Sequence, residues 1–224
     1  MAPDMAPDQD KKTSDPQQIP SSTPDKGHPS VNAGSTVPEL LDGPELTKYR
    51  ETVEICAQLR LDSNLPNGDA NNAAILFSTF FKFAEREVCI FTGQLFGGVF
   101  DVRPDVGKRA IDFLRKDSNN VLRIAVSDKV DLSMFRKKPF IAGILKEDDI
   151  KGRLFVYDVS GKTSSNHFSV MDEVAFRYET SHVQKHAIAN FGNSNKAEQY
   201  YRDFESIIRD TQKMNLESSM ALPL

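Results

Sequence analysis

After Gly43 the apolar residues Leu46, Tyr49, Val53, Cys56 and Leu59 recur three and four apart, which predicts a helix of about four turns with one apolar stripe. Residues 64–71 (NLPNGDAN) read as a loop. A second helix is expected from an Asn71 or Asn72 cap to about Glu85; its apolar positions nearly encircle it, so it should be deeply buried. The period then shortens. Residues 88–92 (VCIFT), 121–126 (VLRIAV) and 154–157 (LFVY) read as buried strands. Between them, helices are expected from Pro104 to Lys116 and from Phe140 to Leu145, after Pro139. Strands alternating with helices predict an α/β fold with a mixed, mainly parallel sheet and flanking helices.

The last third alternates instead. Residues 167–170 and 174–179 read as a hairpin around Asp172 and Glu173, and a final amphipathic helix runs from about Asn195 to Lys213, with Ser194 as its cap. Ser165, His167 and Ser169 share one parity on the first hairpin strand; Arg177 and Glu179 share one on the second. If these sets face the same way, His167, Arg177 and Glu179 form a patch able to bind a phosphate or move a proton. The plainer alternative is an exposed sheet face with a cross-strand ion pair.

Composition divides the chain. Eight of its twelve prolines lie in residues 1–45, with three Lys against eight Asp or Glu, a net of −5. Such a segment cannot bury enough apolar surface to offset its ordering entropy, so a disordered, acidic, Pro-rich tail is expected ahead of a domain over residues 46–215. The tail would solubilise or tether the domain, unless the apolar residues 37–41 (VPELL) dock a partner. The remainder of the chain is net +1, so no global field draws in nucleic acid. The local basic cluster Arg136, Lys137 and Lys138 is then the best candidate contact with nucleic acid or a partner, and otherwise a solvated loop. Cys56 and Cys89 fall in apolar patterns of different elements, as buried thiols in a reducing compartment would; a disulfide or redox switch is the alternative. The acidic N-terminus lacks the apolar core of a signal peptide, and the longest apolar cluster, 73–84, is too short to span a bilayer. A cytoplasmic protein with no membrane association is expected. His182 and His186 have helical spacing that can supply half a metal site, but read as a surface pair; Gly97 and Gly98 read as a flexible turn.

The order of elements, with residues 165–179 (SNHFSVMDEVAFRYE) and 187–207 (AIANFGNSNKAEQYYRDFESI), resembles the phospholipase D superfamily over residues 70–210. The resemblance implies an HxK…D motif on the first hairpin strand: a His that attacks phosphorus, a Lys that holds the phosphate, and a supporting Asp. Anchored on Asp172, the His and Lys positions hold Ser165 and His167; anchored on His167, the Lys and Asp positions hold Ser169 and Val174. Neither alignment keeps a His together with its Lys. Where the family often has GS and N, this chain has Phe176-Arg-Tyr-Glu.

The resemblance therefore implies a catalytically degenerate domain, without cofactor or metal. It would act as a binding or assembly subunit of a bacterial multi-protein system for nucleic-acid handling or defence. Members with one motif pair, so a homodimer or a related partner subunit is implied. The enzyme alternative is a phosphodiesterase or nuclease whose variant site is built by dimerisation around His167, with Asp172 and Glu179 catalytic and Ser165 and Arg177 on the phosphate. A third reading is a scaffold with an empty pocket, its partner recruited by the tail.

Overall fold

The computed structural model describes residues 43–95, 97–101, 103–162, 166–181 and 186–216. Helix α1 (Pro44–Gln58) starts two residues ahead of the expected boundary and buries Val53, Cys56 and Ala57. A three-residue strand, β1 (Leu65–Asn67), follows inside the stretch expected to be loop. Its central Pro66 has no N–H to donate, which suits the outermost strand of the sheet. Helix α2 (Ala70–Phe83) is capped by Asp69, whose carboxylate accepts from the Asn72 amide at 2.8 Å, rather than by either asparagine. Every residue from Ala73 to Phe81 is buried, as its all-round apolar pattern requires.

Strand β2 (Glu87–Thr92) leads through a short helix, α3 (Gly97–Phe100), into α4 (Pro104–Lys116) and β3 (Val121–Val126). Two more helices, α5 (Leu132–Arg136) and α6 (Pro139–Leu145), precede β4 (Leu154–Asp158). Gly97 and Gly98 thus open a helical turn, and Arg136 closes one, where a turn and a loop were expected. The hairpin is β5 (Phe168–Met171) and β6 (Ala175–Ser181), followed by β7 (His186–Asn190) and α7 (Ser194–Ile208). Asn193, not Ser194, caps α7 by accepting from the Lys196 amide, and the helix stops five residues short of Lys213. His186 lies in a strand, so the helical spacing read for it and His182 does not apply; His182 lies outside the described residues.

The seven strands form one mixed sheet in the order β1-β7-β6-β5-β2-β3-β4, flanked by helices. The parallel expectation holds for β2, β3 and β4 alone. The four pairings from β2 through β5, β6 and β7 to β1 are antiparallel, so the mainly parallel sheet is corrected to a mixed one with an antiparallel majority. The physical reason is connection length: β5 to β6 is a tight turn, which permits only antiparallel pairing, whereas the helical crossovers between β2, β3 and β4 permit parallel pairing.

Alternate residues face opposite layers. Val88, Ile90, Leu122, Ile124 and Ala189 pack with α1, α2, α4 and α6; Cys89, Phe91, Ala125 and Phe176 pack under α7 through Ala197, Phe204 and Ile208. Phe204 is 0% exposed and lies under the Arg123 guanidinium, which pairs with Glu87 at 2.8 Å and also with Glu205. Truncating a Phe so placed typically costs about 3–5 kcal/mol. Both cysteines are buried and unpaired. No helix among the described residues is long and apolar enough to cross a membrane.

Candidate functional site

The β5–β6 register decides which side chains meet. Ser169 stands opposite Arg177, and the ladder continues past β5, where the Glu179 amide donates to the His167 carbonyl at 2.8 Å. Directly paired residues share a face, so His167, Ser169, Arg177 and Glu179 all point to the layer of α2 and α3. The patch expected from alternation is thus formed. It is not an exposed sheet face, because Ser169 is 2% and Glu179 8% exposed. The row extends further: Thr92 ends β2 beside His167, and Ala187 and Asn67 stand in line beyond Glu179. The Asn67 amide is buried, with no hydrogen-bond partner for either of its atoms among the described residues.

These side chains line a cavity of about 400 Å³. Its floor is the β2–β5–β6 part of the sheet. Its walls are the first turns of α2, with Asp69, Ala70, Ala73 and Phe77, and α3, with Gly98, Val99 and Phe100. The Phe77 and Phe100 rings lie 4.6 Å apart at 47°. The cavity sits at the carboxyl end of β2, where α/β sheets commonly hold ligands.

His167 Nδ1 lies 2.8 Å from Glu179 Oε2, and the ring meets Phe91 edge-on. A carboxylate on Nδ1 fixes the imidazole's orientation and tautomer, leaving its chemistry to Nε2. Arg177 is held differently. No hydrogen bond or ion pair engages its guanidinium among the described residues, and its Nε is fully buried. It lies over the Phe77 ring at 5.8 Å. Burial pulls its pKa below the ordinary arginine value, while the charges of Glu179 and Tyr49 pull the other way. Arginine nevertheless stays protonated in proteins, so the cavity wall carries a permanent cation.

Asp172, expected to be catalytic, lies away from this site. It lies in the β5–β6 turn, at the far end of the hairpin from His167. Its carboxylate accepts from the amides of Glu85, Arg86 and Glu87 at 2.7, 2.9 and 2.8 Å. An acceptor shared among three backbone donors is part of the scaffold. Ser165 lies outside the described residues. The basic cluster lies elsewhere on the molecule. Arg136 is half-buried and donates to the Asn215 carbonyl; Lys137 is exposed, and Lys138 lines a separate recess of about 160 Å³ with Lys129 and Asp131. Asp69, Phe77, Thr92 and Phe100 escaped the sequence reading. Thr92 was accessible as the last residue of a buried strand; the others depend on how α2 and α3 pack.

No protein-family model and no curated protein matches the sequence. Among solved structures the chain is similar to TrmBL2, an archaeal chromatin protein with a novel mode of DNA binding. That likeness has a TM-score of 0.50 and 11% identity over 76% of this chain and 62% of the other, so this chain spans about 62% of TrmBL2. It is also similar to Nuc from Salmonella typhimurium, a phospholipase D family member (TM-score 0.46, 11% identity, 68% of this chain and 98% of that one). A third similar structure is phosphatidylserine synthase from Haemophilus influenzae (TM-score 0.44, 12% identity, 68% and 39%). At such identities the likeness concerns the fold alone. Phospholipase D family members are thus among the structures this chain is similar to, the same family its hairpin sequence resembles.

Proposed function

We propose that the domain is a phospholipase D-like module that binds a ligand in the cavity without hydrolysing it, and that it serves as a binding or assembly subunit. One observation carries this reading: Ser169 occupies the position two after His167, and among the described residues no lysine lines the cavity. The family chemistry needs an ammonium on the transferring phosphoryl group as well as a nucleophilic imidazole. Asp172, spent on three backbone amides, supplies no further acid or base. The acidic N-terminal tail would act as a tether, and a second copy or a related subunit as the partner. The test is a metal-free assay with bis(p-nitrophenyl) phosphate, single-stranded DNA and duplex DNA. Wild type should show no more turnover than His167→Ala; activity that disappears in the mutant contradicts the proposal.

A phosphodiesterase reading has one observation in its favour, the His167–Glu179 pair at 2.8 Å, which orients an imidazole as a nucleophile requires. Arg177 would then replace the lysine, and a second protomer would supply the leaving-group acid. DNA as the ligand, after the TrmBL2 likeness, would engage Lys137 and Lys138; phosphate contacts of that kind weaken steeply with salt.

A further inference from the structure

We infer that the cavity receives a small organic anion, an oxyanion head on a flat apolar body, with the head on Arg177 and the body against Phe77 and Phe100. The inference rests on the binding reading above and names the ligand class for the same cavity.

The charges of the cavity differ in how far they are already spent. Glu179 is held by His167 at 2.8 Å, and Asp69 by the Asn72 amide at 2.8 Å. The Arg177 guanidinium alone has no hydrogen bond or ion pair among the described residues. Arg177 is half-buried and its fully buried Nε has no acceptor, which is unfavourable, while the planar fork of the guanidinium matches an oxyanion. The fourteen-residue helix α2 begins at this wall, so its positive end adds to the attraction for an anion.

The rest of the cavity is unsuited to a bare ion or a polyanion. Phe77, Ile90, Val99 and Phe100 form an apolar surface, and Ala70 and Ala73 leave room beside it. One half-buried cation, in a cavity that Asp69 and Glu179 also line, favours a singly charged head over the two charges of inorganic phosphate. A nucleic-acid strand requires a succession of cations along its backbone, whereas among the described residues Arg177 is the sole Lys or Arg lining the cavity. A volume of about 400 Å³ falls in the range of small-molecule sites. Carboxylate and phosphoryl heads share this chemistry, and the probes below separate them.

The experiment uses full-length protein, with titration calorimetry and thermal unfolding in benzoate, phenyl phosphate, benzamide and inorganic phosphate. Benzoate, phenyl phosphate or both should bind saturably and raise Tm by roughly 2–5 °C at saturation. Neutral benzamide and inorganic phosphate should bind at least about tenfold more weakly than the better aryl anion, since each lacks one half of the recognition. Arg177→Met should abolish the aryl-anion response while leaving the unliganded Tm unchanged or higher, because a half-buried charge whose Nε has no acceptor is removed. Gly98→Leu provides a second variant. A Cβ at this exposed position meets nothing within 4 Å, so the protein should fold and the narrowed mouth should weaken aryl-anion binding. The inference is overturned if neither aryl anion binds, if inorganic phosphate or benzamide binds as well as they do, or if Arg177→Met retains binding. The hydrolysis assay separates the two claims. Turnover lost in His167→Ala ends the non-hydrolytic reading whatever the aryl anions do, whereas silence in both assays ends this inference alone.

Discussion

Ser169 stands directly across the β5–β6 ladder from Arg177, so the residue two after His167 faces the cation that lines the cavity. The two positions are physically exclusive for positive charge. A lysine at 169 would place an ammonium opposite a guanidinium in a buried row, where like charges destabilise. Ser169→Lys should therefore lower stability by about 1–3 kcal/mol, and Arg177→Ser in the same chain should restore much of it. A double-mutant cycle in urea measures this directly; additive effects would show that the two side chains do not oppose each other.

Asp172 offers a second test, because its role is architectural. Asp172→Ala leaves the amides of Glu85, Arg86 and Glu87 without their acceptor and places Ala at φ 49°, a left-handed conformation that Asp and Asn tolerate better. A loss of about 1–3 kcal/mol is expected, with Asp172→Asn milder. Equilibrium denaturation checks the size. A stable Asp172→Ala protein that has lost ligand binding would instead return Asp172 to the site.

These two residues show why the sequence was legible in part. Alternation along β5 and β6 put His167, Arg177 and Glu179 on one face, and the register places them there. The extents of α4 and β3 also followed from local pattern, since burial and period agree within each element. The place of Asp172 was not legible, because motif spacing says nothing about which backbone amides reach a carboxylate from 85 residues away. Strand β1 was hidden because three residues centred on a proline have no readable period. The cavity walls were hidden because α2 is apolar on all sides, so its pattern could not tell which face meets the cavity.

The turn after β7 should tolerate little. A Cβ at Gly192 would lie 2.6 Å from the Asp62 nitrogen and closer still to the Arg60 carbonyl, where the α1–β1 loop crosses it. Asn190 ties the same two segments by donating to Asp62 Oδ1 at 2.8 Å. Gly192→Ala should destabilise by about 1–3 kcal/mol through backbone displacement. An unchanged denaturation midpoint would show that the loop yields.

Alkaline pH should weaken the fold before it harms exposed groups. Burial pushes the Cys89 thiol well up and the Cys56 thiol up, and it raises the phenols of Tyr49, Tyr201 and Tyr200. For an acid with a raised folded pKa, the unfolded chain releases its proton first. Stability is then level below the unfolded values and falls as pH rises through them, from about pH 8.5 to 10.5. Urea midpoints across that interval should decline, with both thiols inert to iodoacetamide at the lower end. A flat profile would contradict the burial of these groups.

The central claim, binding without phosphoryl transfer, turns on whether His167 ever becomes covalently attached to phosphorus. Wild type and His167→Ala are mixed with excess bis(p-nitrophenyl) phosphate, quenched at times from milliseconds to minutes, and analysed as intact protein by mass spectrometry under conditions that preserve phosphohistidine. The account predicts that both proteins keep their unmodified mass at every time, with no burst of nitrophenol. A phosphoryl adduct on wild type that maps to His167, appears with a nitrophenol burst and is absent from the mutant would contradict it.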